Sequence, residues 1–212
     1  MTGQQLARLL EVIELDIVPL TREGVEAGNK VFGAAILKSF DLSVVVAATN
    51  EEAACPLWHG EVVAIRNFHE LPPDQRPSPE ECLLVSTHEP CPMCLSAIAW
   101  AGIPSIYYLF GYEQTRDSFN IPHDLEILSQ VFRCADGDYA RENKYWQIHD
   151  IVAAIEGGPE GSPGGGPEGC QEGSPGPDRE RLMEKVERLG GIYAELSQRY
   201  QAVKASTSIP LS

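Results

Sequence analysis

Apolar residues recur at helical spacing in the first segment of the chain, from residue 4 to residue 28. The positions that share this spacing are Leu6, Leu9, Leu10, Ile13, Ile17, Leu20 and Val25. The spacing predicts an amphipathic helix. Pro19 lies inside the pattern, and because proline has no backbone N–H it predicts a kink or a break at this point.

Strand-like and helical patterns alternate along the next part of the chain. Four apolar runs predict strands, at residues 31–37, 42–48, 82–87 and 105–110. The first two are close enough to form a hairpin. Helical patterns cover residues 59–68, 91–101, 124–132 and 143–155. The alternation predicts a layered α/β domain whose strands are joined by parallel crossovers.

The composition changes abruptly after residue 156. Residues 157–177 consist mainly of Gly, Pro, Glu and Ser, a composition that buries too little apolar surface to fold, so we predict a flexible linker. Residues 178–205 return to apolar positions spaced alternately four and three apart, which predicts an amphipathic helix. The helix needs a partner surface, either its own domain or another protein copy. We expect a catalytic domain at 1–156 and a tail at 206–212.

Charge narrows the possible partners. The formal net charge is −15, and residues 1–156 carry 10 basic against 23 acidic side chains. No cluster of three basic residues occurs before Arg179, so nothing resembles the basic patch with which proteins bind phosphates. We therefore expect a small, neutral or cationic substrate and no nucleic acid.

No membrane segment or secretion signal is recognisable in the sequence. No run reaches the roughly 18 to 20 consecutive apolar residues of a membrane span, and the amino terminus lacks a basic stretch followed by an apolar one. We expect a cytoplasmic protein, in which a Cys-x-x-Cys pair indicates metal or redox chemistry rather than a structural disulfide.

Three residues have the types and spacing of a catalytic zinc site. His59 is followed by Cys91 and Cys94, which supply one imidazole and two thiolates. These donors favour zinc (Zn2+) over magnesium or calcium, and three protein ligands leave the fourth tetrahedral position open. The Cys-x-x-Cys pair alone would also suit a redox site or half of a zinc knuckle, but no second pair completes a four-cysteine site.

Glu61 is the candidate for proton transfer. It lies two residues after His59, close enough to reach a water on the metal without binding the metal itself. His59 and Cys91 both fall at predicted helix starts, where the helix dipole stabilises a thiolate. The combination predicts hydrolytic deamination, in which a ring amine and water give a ring carbonyl and ammonia.

These motifs resemble the cytidine deaminase superfamily, over about residues 31–118. The segment 59–66 is similar to the first zinc helix of bacterial guanine deaminases, which usually have alanine where Gly60 stands, whereas yeast-type cytosine deaminases have glycine. The segment 89–101 again looks closest to guanine deaminases. The resemblance implies three α/β/α layers with a central mixed sheet, a zinc cofactor and commonly a homodimer.

The resemblance also implies a set of substrate contacts. Asn50 would bind the substrate ring, Phe32 would form a pocket wall, and Asp117 would contact a purine. Because Asp117 favours a guanine-like ring and Gly60 a cytosine-like one, the identity of the base stays open. His88 is either a substrate contact or a polar loop residue. The aromatic side chains that could stack on a ring or belong to the core are Trp58, Trp100 and Tyr112.

Two alternative functions remain at this stage. Bacterial tRNA adenosine deaminases share the Glu-Pro-Cys element, although the acidic domain disfavours nucleic acid. A non-catalytic scaffold subunit could keep zinc for folding while its terminal helix binds a partner. The presence of Glu61 disfavours that second alternative.

Overall fold

Five strands form one mixed sheet in the computed structural model, which describes residues 1–157, 176–204 and 209. The strands are β1 (Gly33–Lys38), β2 (Val44–Thr49), β3 (Cys82–His88), β4 (Ser105–Phe110) and β5 (Gln147–Asp150). Their order across the sheet is β2-β1-β3-β4-β5, with β1 antiparallel to β2 and β3, and with β3, β4 and β5 parallel. The expected mixed sheet is confirmed.

Helices cover both faces of this sheet. They are α1 (Gly3–Val12), α2 (Val18–Glu26), α3 (Gly60–Glu70), α4 (Pro92–Ala101), α5 (Tyr112–Phe119), α6 (His123–Phe132), α7 (Ile151–Glu156) and α8 (Gly176–Val203). Because strand side chains alternate between faces, Ala34 and Ile36 pack with α3 and α4, whereas Ala35 and Leu37 pack with α1, α7 and α8. The architecture is the predicted α/β/α arrangement of three layers.

The first helical pattern forms a helix that continues past Pro19. A single π-helical segment, Ile13–Ile17, joins α1 to α2, and the N–H of Val18 donates to the carbonyl oxygen of Ile13. Pro19 then falls in the first turn of α2, immediately after the π-helical segment. The expected kink is therefore accommodated by a local widening of the helix.

The helix predicted at residues 143–155 is wrong in its first half. Residues 147–150 instead form β5, which pairs in parallel with β4 along the edge of the sheet. Asp150 ends the strand and caps α7, since its side chain accepts a hydrogen bond from the N–H of Ala153 at 3.0 Å. The backbone partners offered by β4 outweigh the local helical spacing.

The carboxy-terminal helix α8 packs on its own domain. Tyr193 and Leu189 are completely buried in the same core as α1 and β3. The hydroxyl of Ser197 donates to the carbonyl oxygen of Phe119 at 2.9 Å, and the Arg188 guanidinium lies 2.8 Å from the Glu14 carboxylate. The domain itself thus supplies the partner surface that the apolar seam requires.

Most of the predicted linker and tail lie outside the described residues, so the domain boundaries at 156, 177 and 205 stay predictions. Within the described part of the chain, no helix combines the length and apolar character needed to cross a membrane.

Candidate metal centre

The structure brings His59, Cys91 and Cys94 together, although they lie at the starts of two separate helices. Their ligand atoms all lie within 4.8 Å of one another. Nδ1 of His59 is 3.5 Å from Sγ of Cys91 and 3.7 Å from Sγ of Cys94. Zinc–sulfur and zinc–nitrogen bonds of ordinary length, set at a tetrahedral angle, separate the two donor atoms by about 3.6 Å. The donor set and its spacing therefore fit a zinc ion.

Local backbone structure explains why the two halves of the cluster meet. His59 and Cys91 are the residues that immediately precede α3 and α4, and both have extended backbone conformations. Pro92 presets the start of α4, and Cys94 lies one turn further on the same face. The two helices pack on one side of the sheet, so their amino termini converge at the same edge.

The charges in and around the cluster favour the binding of a cation. Contact with the Cys94 thiol, together with His59, holds the pKa of Cys91 well below its ordinary value despite burial. Burial disfavours the charged imidazole, but Cys91 and the carboxylates of Glu61 and Glu52 outweigh it and raise the pKa of His59 to about 9. A buried thiolate is thus available as a metal ligand, and the surrounding charge is negative.

Glu61 lies directly beside the cluster. Its side chain is 4% exposed, Oε2 is 3.3 Å from Sγ of Cys94, and Oε1 accepts a hydrogen bond from the hydroxyl of Ser86 at 2.9 Å. Burial, and then the negative charge of Cys91, raise the pKa of Glu61. The carboxylate is held in one orientation with an increased affinity for a proton, as general acid/base catalysis requires.

Asn50 and Phe32, both expected to contact substrate, lie near the start of α3. The side-chain oxygen of Asn50 accepts a hydrogen bond from the N–H of Gly60 at 2.6 Å, and its amide nitrogen donates to Glu52 at 2.6 Å. The carbonyl oxygen of Phe32 accepts from the N–H of Asn50 at 3.0 Å. Asn50 is completely buried. These contacts hold its amide in place, and a role in substrate binding stays a prediction.

Asp117 does not join the cluster in the described contacts. Its side chain is 63% exposed and pairs with the adjacent Arg116 at 2.6 Å. Asp124, at the start of α6, is a further carboxyl group that the charges of the cluster influence. Burial, and then the negative charge of Cys91, raise the pKa of Asp124 to about 8, although His59 opposes this shift. Sequence reasoning missed Asp124, because acidic residues are common in the first turn of any helix.

His88 is neither a loop residue nor an exposed one. It ends β3, is 3% exposed, and its ring packs against the rings of Phe32, Phe119 and Tyr193, with centroids 4.7 to 5.5 Å apart. Nδ1 of His88 lies 2.9 Å from the hydroxyl of Thr87. Burial lowers the pKa of His88 to about 3. The ring is therefore a neutral part of the core.

The three aromatic candidates have different environments. Trp100 is 92% exposed on α4, whereas Tyr112 is buried and donates its hydroxyl hydrogen to the carbonyl oxygen of Pro90. The guanidinium of Arg66 lies over the ring of Trp58, 4.7 Å from its centroid. None of the described contacts of these three rings involves the metal ligands.

A buried ion pair supports the start of α4. Glu89 is 4% exposed, and its Oε1 lies 2.7 Å from the Arg141 guanidinium and accepts a hydrogen bond from the Tyr139 hydroxyl at 2.7 Å. Its other carboxylate oxygen accepts from the N–H of Tyr112 at 3.2 Å. Because Glu89 is only two residues before Cys91, this network fixes the strand end from which the ligand loop departs.

Comparisons with known proteins agree with this site. Residues 16–110 match the family described as "Cytidine and deoxycytidylate deaminase zinc-binding region". Guanine deaminase of Bacillus subtilis (strain 168) is 37% identical over 94 residues, which are 43% of this chain and 58% of that relative. The match thus spans less than two thirds of the relative's length.

The chain is also similar to solved structures. The X-ray structure of guanine deaminase from Bacillus subtilis aligns with 64% of this chain and 98% of its own, at 29% identity and a TM-score of 0.42. A mutant of NE0047 in complex with 8-azaguanine aligns with 93% of this chain and 84% of its own, at 18% identity and a TM-score of 0.50. The second likeness supports the fold.

Fold and site together define a class: three-layered α/β proteins that bind a metal with one histidine and two cysteines at two helix starts. Within this class, the chain is similar to the cytidine and deoxycytidylate deaminase family over residues 16–110 and to guanine deaminase over 94 residues.

Proposed function

We propose that this protein is a zinc-dependent hydrolase that converts an exocyclic amine of a small nucleobase-like ring to a carbonyl and releases ammonia. The observation that carries the proposal is the position of the Glu61 carboxylate, buried and 3.3 Å from a ligand sulfur of the His59-Cys91-Cys94 cluster. A metal-binding scaffold has no need for a buried carboxylate with a raised pKa that does not itself complete the ligand set.

The residues present divide the chemical work. His59, Cys91 and Cys94 would hold a zinc ion, which when bound would lower the pKa of a water molecule from about 15.7 to near neutrality. Glu61 takes a proton from the attacking water and delivers it to the ring nitrogen. It then takes the second proton from the added hydroxyl and gives it to the departing amine, so that a ring carbonyl and ammonia result. Ser86 keeps one carboxylate oxygen of Glu61 oriented, because it donates a hydrogen bond to Oε1.

The charge around the site supports a substrate without phosphate. Glu61 and Glu52 both place negative charge beside His59, and the cation Lys30 is paired with Glu52 at 3.0 Å. An acidic site repels a phosphate and suits a neutral ring that offers N–H donors. Such a site favours a free base or nucleoside, guanine-like or cytosine-like, over tRNA. Homodimer formation and a cytoplasmic location stay predictions.

Ammonia release by the purified, zinc-loaded protein tests the proposal. The substrate panel contains guanine, cytosine, adenine and their nucleosides. We expect turnover of at least one of them, and a loss of about 100-fold to 10,000-fold in Glu61→Gln with zinc retained. Glu70→Gln is the matched control, because Glu70 is an exposed carboxylate at the other end of α3. Ammonia from none of the six would refute the deaminase proposal in favour of a scaffold.

A further inference from the structure

Glu52 occupies a position that the zinc chemistry described so far does not use. It is 2% exposed and lies in the segment that joins β2 to α3. Its Oε1 accepts a hydrogen bond from Lys30 at 3.0 Å, and its Oε2 accepts one from the side-chain amide of Asn50 at 2.6 Å. Oε1 also lies 3.5 Å from Nε2 of His59. One buried carboxylate therefore contacts a metal ligand, a cation and an amide.

The orientation of the His59 ring shows what its contact with Glu52 can do chemically. Nδ1 lies 3.5 Å from Sγ of Cys91, on the side where the metal would bind, and Nε2 lies on the side of Glu52. An imidazole that binds a metal through Nδ1 must carry its proton on Nε2. A carboxylate beside Nε2 favours that tautomer, restricts rotation of the ring and makes Nδ1 a stronger ligand.

The segment around Glu52 is held by other hydrogen bonds, so the carboxylate is not needed merely to close the loop. The N–H of Glu51 donates to the carbonyl oxygen of Trp58 at 2.9 Å. The N–H of Ala53 donates to the side-chain oxygen of Asn29 at 2.8 Å. Burial of a Lys30–Glu52 pair has a desolvation cost that its own attraction often does not offset. The contact between Glu52 and the metal ligand His59 supplies a reason why this ion pair is buried.

We propose that Glu52, anchored by Lys30, is a positioning residue that holds His59 with Nε2 protonated and Nδ1 directed at the metal. The same carboxylate fixes Asn50, whose side-chain oxygen receives the N–H of Gly60 at the start of α3. Glu52 thereby joins the metal ligand and the predicted substrate amide in one rigid unit. The proposal rests on the zinc site and not on the identity of the substrate.

Zinc affinity of the purified full chain tests this proposal, by competition with a chromophoric chelator. We expect zinc affinity to fall about 10-fold to 100-fold in Glu52→Gln, the range for loss of a partner behind a ligating histidine. The matched control is Glu51→Gln, since the neighbouring Glu51 is 39% exposed and pairs with Arg66 instead. The control should bind zinc within twofold of the wild type. Equal affinities in the two variants would overturn the proposal.

Two further variants separate positioning from folding. Glu52→Asp keeps the charge that balances Lys30 but withdraws it from His59, so an intermediate loss of zinc affinity is expected. Glu52→Gln combined with Lys30→Met removes both buried charges. In the absence of zinc, we expect the double variant to have the same free energy of unfolding as the wild type. It should still bind zinc more weakly than the wild type does. Restored zinc affinity in the double variant would show that the pair serves folding only.

Cobalt provides a spectroscopic readout of the ligand set. Visible absorption of the cobalt-substituted protein should change in Glu52→Gln and remain unchanged in Glu51→Gln, because only Glu52 contacts the ligating ring. Both measurements are independent of turnover. The absence of ammonia release from every substrate would reject the deaminase proposal and leave the role of Glu52 to be decided by zinc affinity.

Discussion

Replacing Gly60 with alanine should damage the metal centre, even though guanine deaminases usually have alanine at this motif position. A Cβ atom at residue 60 would lie 2.8 Å from Cα of Gly33 and 3.1 Å from its carbonyl carbon and its nitrogen. All three atoms belong to the backbone of β1, so no side-chain rotation can relieve the contact. The start of α3, or β1 itself, must move.

The size of the effect follows from this distance. Carbon atoms in contact prefer a separation of about 3.5 to 4.0 Å, so the two segments must separate by about 1 Å. Overpacking of this kind costs about 1 to 3 kcal/mol of folding free energy, against a gain of up to about 1 kcal/mol from the helix propensity of alanine. His59 and Glu61 flank residue 60 and would move with it. We expect zinc affinity to fall at least tenfold, the lower end of the range for a change that disturbs the orientation of a metal ligand.

Denaturant unfolding of the zinc-free protein and chelator competition measure these two effects. Gly191→Ala in α8 is the control, because a Cβ there would have no heavy atom within 4 Å. The control should be stabilised by about 0.5 to 1 kcal/mol and bind zinc normally. If Gly60→Ala were as stable as the wild type and bound zinc equally well, the close approach to Gly33 would not constrain the site.

Two further predictions concern buried titratable groups. Burial lowers the pKa of His88 from 6.5 to about 3, so the unfolded chain gains a proton that the folded chain excludes as the pH falls below about 6.5. The stability that this group confers is complete above pH 6.5 and declines below it by up to about 1.4 kcal/mol per pH unit. Urea unfolding between pH 7 and pH 5 should show a shallower decline in His88→Phe, and parallel declines would contradict this. Arg141→Gln should cost about 3 kcal/mol in denaturant unfolding, because it leaves the buried Glu89 unpaired, whereas Arg199→Gln in an exposed pair should cost less than about 0.5 kcal/mol. Equal costs would show that the Glu89 pair is not effectively buried.

The metal ligands could be predicted from the sequence because they lie at helix starts that the local pattern also predicts. His59 and Cys91 each precede a helix, and Cys94 lies one turn after Cys91, so short-range spacing alone places donors at helix starts. It is the pairing of β1 with β3 that brings the two starts together. The α/β alternation predicted such a sheet, and for this reason both the cluster and the layers could be anticipated.

Sequence reasoning failed where burial depends on distant partners. Glu51 and Glu52 are adjacent and chemically identical in the sequence, yet the first has a side chain 39% exposed and the second 1%. Lys30, 22 residues earlier, is the cation that pairs with the buried one. The strand β5 was not predicted for the same reason, since its hydrogen-bonding partner β4 ends 37 residues before β5 begins. Neither partner is visible in a local pattern.

Gly60 shows why the substrate could not be inferred from the residue types in the motif. The sequence suggested that glycine here favours a cytosine-like ring, but the structure gives glycine a packing reason, the contact with Gly33. A residue required by packing carries no information about the substrate. The role of Asp117 in substrate binding stays a prediction, and its carboxylate pairs with Arg116 at the surface. What bears on specificity is the negative charge that Glu61 and Glu52 place beside His59, which we expect to disfavour a phosphate before it distinguishes one base from another.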